Sequence, residues 1–416
     1  MARKFRFDAR TRTEIILRYL GGGFVAFLAL LFWLAVDPRA WESGGLRTYA
    51  LLHLDVLGWI TTVMLGVYLN LLPVTLPRTR VNPRLAEVAF WPYGLGVILL
   101  ILGFGTGRGE LLLGGGILLP LVLLILSLHL VWGVWPAASE MLRNPTALSY
   151  LLAPLSLGLA AILGGLMALS LGGVLSPSAL TLAPFHLLLA LGGWLVLTVM
   201  GSAYRLVPFF FATPTPRDEA SFGSLPVLLW AAGLLASGLG WGWGRSLLLS
   251  LGALLFAWDM VRMMAHGQHR KREPVQILTQ VSFLLFLVAA LLWSLGRSLA
   301  VSPWPWMGAA LYLALFLAPS LLIFAQLSRI LVFLTALDLL QRKGIRTHRH
   351  WNLSRPRPAL GGGLLWVAGG LGVALGGVLP PWGPWVGAGL QLLGGLLLLG
   401  SLWPSLWARR LLRDGG

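Results

Sequence analysis

Residues 51–73 read LLHLDVLGWITTVMLGVYLNLLP, and the same design returns at 186–208 as HLLLALGGWLVLTVMGSAYRLVP. In each copy tryptophan, glycine and proline follow one another at intervals of seven: Trp59, Gly66 and Pro73, then Trp194, Gly201 and Pro208. A glycine precedes each tryptophan (Gly58, Gly193), and a tyrosine follows each second glycine (Tyr68, Tyr204). A seven-residue interval keeps the three residues on one stripe of a helix, with the glycine where a neighbour can approach the backbone closely. Each copy also opens with a histidine. His53 stands six residues before its tryptophan and His186 eight. Two residues are roughly 200° of helical rotation, so the imidazoles face nearly opposite ways relative to the shared stripe. The pattern predicts a common scaffold whose histidines are not interchangeable.

Working outward, the rest of the 416-residue chain is 57% hydrophobic and 11% charged, with mean hydropathy +0.82. A soluble domain carries about a quarter charged residues, so this composition specifies a polytopic membrane protein. Apolar runs of spanning length predict twelve helices, over residues 14–36, 47–73, 85–105, 111–135, 146–172, 179–211, 222–243, 246–265, 274–296, 305–340, 360–379 and 383–408. The absence of cysteine excludes disulfides, thiolate-held zinc and iron–sulfur clusters. No Walker loop, dinucleotide fingerprint or HExxH is present, so ATP-driven transport and zinc hydrolysis find no support.

The net charge of +17 tests the helix count. With twelve helices both ends share a side. The tails and the connections on that side hold twenty-two of the thirty-one lysines and arginines, against five on the other side. Such a split is the positive-inside rule and predicts both termini in the cytoplasm, at the cell's inner (plasma) membrane. The partner for the excess charge is then the lipid bilayer, and nucleic acid is not expected. His266, His269, His348 and His350 fall in inner connections crowded with arginine, which suits a solvated basic loop better than a bound cation. Trp382 and Trp385, beside an outer turn, read as interfacial aromatics.

Polar groups inside the membrane are few. His53 lies ~9 Å below the outer start of its helix and His186 at nearly the same depth, whereas His129 lies some 20 Å further in. Each imidazole reads either as a neutral, hydrogen-bonded structural group or as a ligand; equal depth inside repeated motifs favours a ligand role for the first two. For His129 the structural role is expected. Asp55 faces another side from His53 and either pairs with an arginine or orients a ligand. Asp259 and Arg262 are spaced for a local ion pair. Gln326, Ser328 and Arg329 form a polar patch near the cytoplasmic end of the tenth helix. Trp59 and Trp194 serve as packing residues or as the edge of a cofactor pocket.

The pattern H-x-H-x-x-x-x-G-W, followed by glycine, tyrosine and L-x-P, resembles the twelve-helix relatives of haem–copper oxidase subunit I. These include short subunit I-like bacterial proteins and, more distantly, the NnrS family of nitric-oxide-response membrane proteins. His53 takes the second histidine place, with Leu51 at the first; His186 takes the first, with Leu188 at the second. The resemblance implies an all-α, single-domain bundle of twelve transmembrane helices. It implies three four-helix arcs about a pseudo-threefold axis that makes the second, sixth and tenth helices equivalent.

It also implies one haem b held by His53, His186 or both, with Trp59, Trp194, Tyr68 and Tyr204 around it. Departures from the family pattern limit the chemistry. The seventh and tenth helices contain no histidine, and Ala190 stands where a tyrosine would follow the sixth helix's histidine. A haem–copper centre cannot be assembled, so copper is not expected. Met307 and Tyr312 are the substitutes on offer for the missing tenth-helix ligand. The function implied is electron transfer or binding of nitric oxide or another diatomic gas, together with a respiratory or nitric-oxide-related partner protein. Whether the chain is an enzyme stays open. The rival reading is a haem-free transporter or a structural subunit of a respiratory complex.

Overall fold

The computed structural model describes residues 9–41, 45–76, 78–213, 222–267, 273–298, 304–343, 355–376 and 379–414. They form twelve helical rods and, among the described residues, no strand. The first is α1 (Ala9–Val36). The second, α2, runs from Leu46–His53 through a π-helical stretch, Leu54–Thr61, into Thr62–Thr75. Next come α3 (Pro83–Thr106), α4 (Gly109–Val134) and α5 (Pro145–Leu171). The sixth rod, α6, repeats the plan of α2: Ala183–Leu187, a π-helical Leu188–Val196, then Leu197–Phe211. They are followed by α7 (Leu225–Gly238), α8 (Gly242–Ala265) and α9 (Pro274–Ser298). The tenth, α10, contains a third π-helical stretch, Leu313–Leu317, between Trp304–Tyr312 and Ala318–Lys343. The chain closes with α11 (Pro356–Ala374) and α12 (Gly383–Asp414).

Local chemistry sets the ends of these rods. Asn82 and Asn144 accept main-chain N–H groups at the starts of α3 and α5, each just ahead of a proline at the first helical position. Gly107, at φ +68°, supplies the left-handed turn that lets α3 reverse into α4 within three residues. Among the described residues, nine helices are long and apolar enough to cross a membrane, while α7 and the apolar part of α9, Pro274–Ala289, are shorter. The outer faces of α3, α4 and α8 expose Leu95, Ile98, Ile117, Leu121, Leu254 and Trp258. In water so much apolar surface would drive aggregation; in a bilayer it meets acyl chains. The chain is a multi-pass membrane protein.

The rods gather into two compact units, Met1–Gly22 with Thr61–Arg270 and Gly23–Ile60 with Lys271–Gly416. In the first, Tyr19 donates to the Ala86 carbonyl at 2.8 Å and meets the Phe90 ring edge-on. The two motif glycines act as the seven-residue stripe predicts. A Cβ added to Gly66 would stand 2.6 Å from that of Tyr19, and one on Gly201 2.7 Å from that of Ser149. Each marks a place where two helices touch backbone to side chain. In the second unit the core is aromatic. Phe27 packs on Trp59, Phe324 and Trp366 with ring centres 4.8, 5.0 and 5.3 Å away. Trp41 and Phe316 cover Tyr312, the latter stacked at 4.9 Å.

Candidate functional site

The two motif histidines stand at the entrance of π-helical stretches. His53 directly precedes Leu54–Thr61, and His186 stands two residues ahead of Leu188–Val196. In such a stretch each N–H reaches back five residues rather than four, and the return to ordinary pairing skips one carbonyl. Wide turns of this kind gather at functional sites. Here side chains serve the main-chain oxygens around them: Trp230 donates to the Gly192 carbonyl at 2.8 Å, and Trp366 to that of Leu317 at 3.2 Å.

Both imidazoles are oriented by main-chain carbonyls. His53 Nδ1 lies 2.7 Å from the Tyr49 carbonyl, one turn back on its own helix. His186 Nδ1 lies 2.9 Å from the Ala160 carbonyl of α5, with its ring laid against Gly164. A carbonyl only accepts, so in each neutral ring the proton sits on Nδ1 and the lone pair on Nε2. That tautomer is the one an axial metal ligand needs. His53 belongs to one compact unit and His186 to the other. Among the described residues no three His, Asp, Glu or Cys side chains form a metal cluster, which a single axial imidazole does not require.

The remaining motif residues are engaged with protein. Trp59, fully buried, donates from Nε1 to Ser320 Oγ at 2.9 Å and packs on Phe24, Phe27 and Phe324. Trp194, equally buried, donates to Thr61 Oγ1 at 3.1 Å. Tyr68 donates to the Tyr150 carbonyl, and Tyr204 to the Asp259 carboxylate at 2.9 Å. A haem reading therefore rests on the imidazoles, whose donor atoms fit an axial role. The four aromatics contribute as packing and hydrogen-bonding groups.

The Trp59–Ser320 bond reveals a register that the sequence pattern conceals. Trp59 bonds to Ser320 as Trp194 bonds to Thr61, two residues beyond Trp59, and aligned on those hydroxyls Ala318 falls level with the tryptophan. Counted from Trp59, Trp194 and Ala318, the three π-helical stretches begin five, six and five residues earlier. In that alignment Tyr312 falls level with His53. Its hydroxyl donates to Gln391 Oε1 at 2.6 Å. No sequence signal marked Gln391 or the π turns, because an unbroken apolar run looks the same at either helical period.

Several other intramembrane polar groups have found partners. His129 Nε2 accepts the Asn82 N–H at 2.9 Å, tying the C-terminal part of α4 to the start of α3. His129→Ala should therefore leave any haem absorption intact and lower stability by only about 1 kcal/mol, the worth of one hydrogen bond; spectra and thermal unfolding of that variant check this. Arg329 pairs with Glu273, the residue preceding α9, and Gln326 donates to Thr279 at 3.0 Å. Asp55 differs. It is fully buried, and among the described residues neither carboxylate oxygen has a hydrogen-bond partner. The Met307 side chain and His269, His348 and His350 lie outside the described residues.

No protein-family model matches the chain, and comparison with curated proteins finds no match.

Proposed function

We propose that this chain is a haem-binding integral membrane protein, related in plan to haem–copper oxidase subunit I, that works in electron transfer or diatomic-gas binding without a copper centre. The observation that carries the reading is the setting of the two imidazoles, each with Nδ1 held by a main-chain carbonyl and its lone pair on Nε2. A bound b-type haem would supply a redox-active iron with an open or exchangeable axial position. The chain's own part is to aim an imidazole from an apolar wall and to keep water away.

The plan includes twelve spans with both ends cytoplasmic, supported by the charge split and by twelve rods close to the apolar runs. A threefold relation among α2, α6 and α10 is supported by their π turns at matching registers. A second reading, a haem-free transporter, draws on the buried Asp55, since intramembrane carboxylates mark ion and proton pathways. The two readings separate in one measurement. Protein purified from haem-replete cells should show a Soret band and a pyridine haemochrome; a colourless, iron-free preparation rejects haem and leaves transport.

A further inference from the structure

At one end of the first compact unit, positive charge outnumbers its partners. The segment leading into α3 is laid against the end of α4 by main-chain bonds. Arg80 donates its N–H to the Gly133 carbonyl at 2.9 Å, and Asn82 donates its own to His129 at 2.9 Å. A Cβ added to Gly133 would stand 2.8 Å from the Arg80 carbonyl oxygen, so the two segments touch there. Beyond α4 a short 3-10 helix, Trp135–Glu140, leads toward α5, and Arg78 reaches across to the Glu140 carboxylate at 3.1 Å. Arg143 follows, its N–H held by the Glu140 carbonyl at 3.0 Å.

Two carboxylates at this end are already engaged, Glu140 by Arg78 and Glu87 by Arg18 at 2.7 Å. Arg80, Arg84 and Arg143 are exposed, and among the described residues their side chains make no ion pair or hydrogen bond. Three guanidiniums on touching segments are thus left without an anion. The opposite end of the α3–α4 pair differs, because Arg108 is followed two residues later by Glu110 and the charges cancel.

These arginines stand at the level of lipid headgroups. Residues 88–107 carry no charge, and twenty residues of helix are ~30 Å, the thickness of a bilayer's hydrocarbon layer. Arg84 lies just outside that span. At alternating steps of four and three residues from it come Val88, Trp91, Leu95 and Ile98, all exposed, which makes one apolar stripe of α3 headed by a guanidinium. In α4 the exposed stripe Leu121, Ile125, Leu128 and Trp132 runs toward the same end. Trp135 and Leu142, the latter 75% exposed, carry apolar surface on into the connection that holds Arg143. Indoles at this depth sit where headgroups meet acyl chains.

We propose that this end of the first unit binds one anionic phospholipid with two phosphates, of the diphosphatidylglycerol kind. Arg80, Arg84 and Arg143 take the phosphates, and the stripes of α3 and α4 take the acyl chains. A guanidinium pairs with a phosphodiester through two parallel N–H bonds. A lipid with a single phosphate neutralises one of the three charges, whereas a two-phosphate headgroup engages them together and brings twice the acyl surface. Haem plays no part in this site, and a colourless preparation tests it equally well.

The full chain, stripped of native lipid in detergent, is titrated with diphosphatidylglycerol, phosphatidylglycerol and phosphatidylcholine, and bound lipid is counted by native mass spectrometry. Diphosphatidylglycerol should bind at one per chain, about tenfold more tightly than phosphatidylglycerol. Arg84→Gln should weaken it about fivefold, the weight of one basic residue beside anionic headgroups. Arg80→Gln, Arg84→Gln and Arg143→Gln combined should bring it down to the level of phosphatidylcholine. Arg108→Gln, which removes a charge from the opposite end, should leave it unchanged. Equal binding of diphosphatidylglycerol and either other lipid, an undiminished preference in the combined variant, or an equal loss in Arg108→Gln overturns the site. Displacement of the lipid by equimolar inorganic phosphate overturns it as well, since the arginines would then be a plain anion site. Should the combined variant fail to fold, the lipid comparison on the unaltered chain and on Arg84→Gln decides.

Discussion

Replacing His53 by alanine is expected to abolish the Soret band of the purified protein, while His186→Ala leaves it present and shifted. Both rings hold Nδ1 against a main-chain carbonyl, so tautomer does not separate them. Position does. The histidines differ by two residues against the Trp–Gly–Pro stripe, and they are anchored differently, one to its own helix and the other to α5. His186 is also braced against Gly164, which leaves its ring little room to turn. His53 is oriented by the preceding turn of α2. In the resembling family that helix supplies the low-spin haem ligand. Spectra of both variants at matched protein concentration decide the assignment. Equal, full retention would reject both as indispensable, and a loss confined to His186→Ala would reverse the roles.

The largest effect on stability should come from Trp59→Ala. The indole is fully buried among Phe24, Phe27 and Phe324, and its N–H closes the bond to Ser320. Truncation opens a ring-sized void and orphans a buried hydroxyl, a cost of about 3–5 kcal/mol. Trp59→Phe keeps much of the packing and should cost about 1–2 kcal/mol, chiefly for the lost hydrogen bond. Unfolding by SDS titration of the detergent-solubilised protein measures both. A Trp59→Ala variant within 1 kcal/mol of the parent would show that the aromatic core collapses around the gap.

Much of the architecture was legible in the apolar runs, for a physical reason. Spanning length and hydropathy decide where a chain crosses lipid, so the run at 47–73 became Leu46–Thr75 and that at 146–172 became Pro145–Leu171. The run at 222–243 overshot, because α7 ends at Gly238 and the glycine-rich turn that follows is as apolar as a helix. The glycines of the stripe were legible as close approaches, and Gly66 against Tyr19 is one. The π turn of α10 was not legible, because α10 has Ala318 where an alignment on the Trp59–Ser320 and Trp194–Thr61 bonds would set a tryptophan. Gln391 was equally hidden, since a lone amide in an apolar helix has no spacing to be read from. The spacing of Asp259 and Arg262 suggested a local pair, and the hydrogen bond that Asp259 receives from Tyr204, a residue of another helix, had no signal in the sequence.

The π turn between His53 and Trp59 has a consequence for how such a chain can change. An α-helix advances about 100° per residue, and a wide turn accommodates one residue more than an ordinary one. Deleting a single residue between Leu54 and Thr61 would let the segment relax into plain α-helix. His53 and Trp59 would then keep nearly their present directions, because four residues of α-helix and five of a wide turn cover about the same rotation. The wide turn therefore absorbs a one-residue change in length between histidine and tryptophan, and the packing stripe beyond it is left as it was.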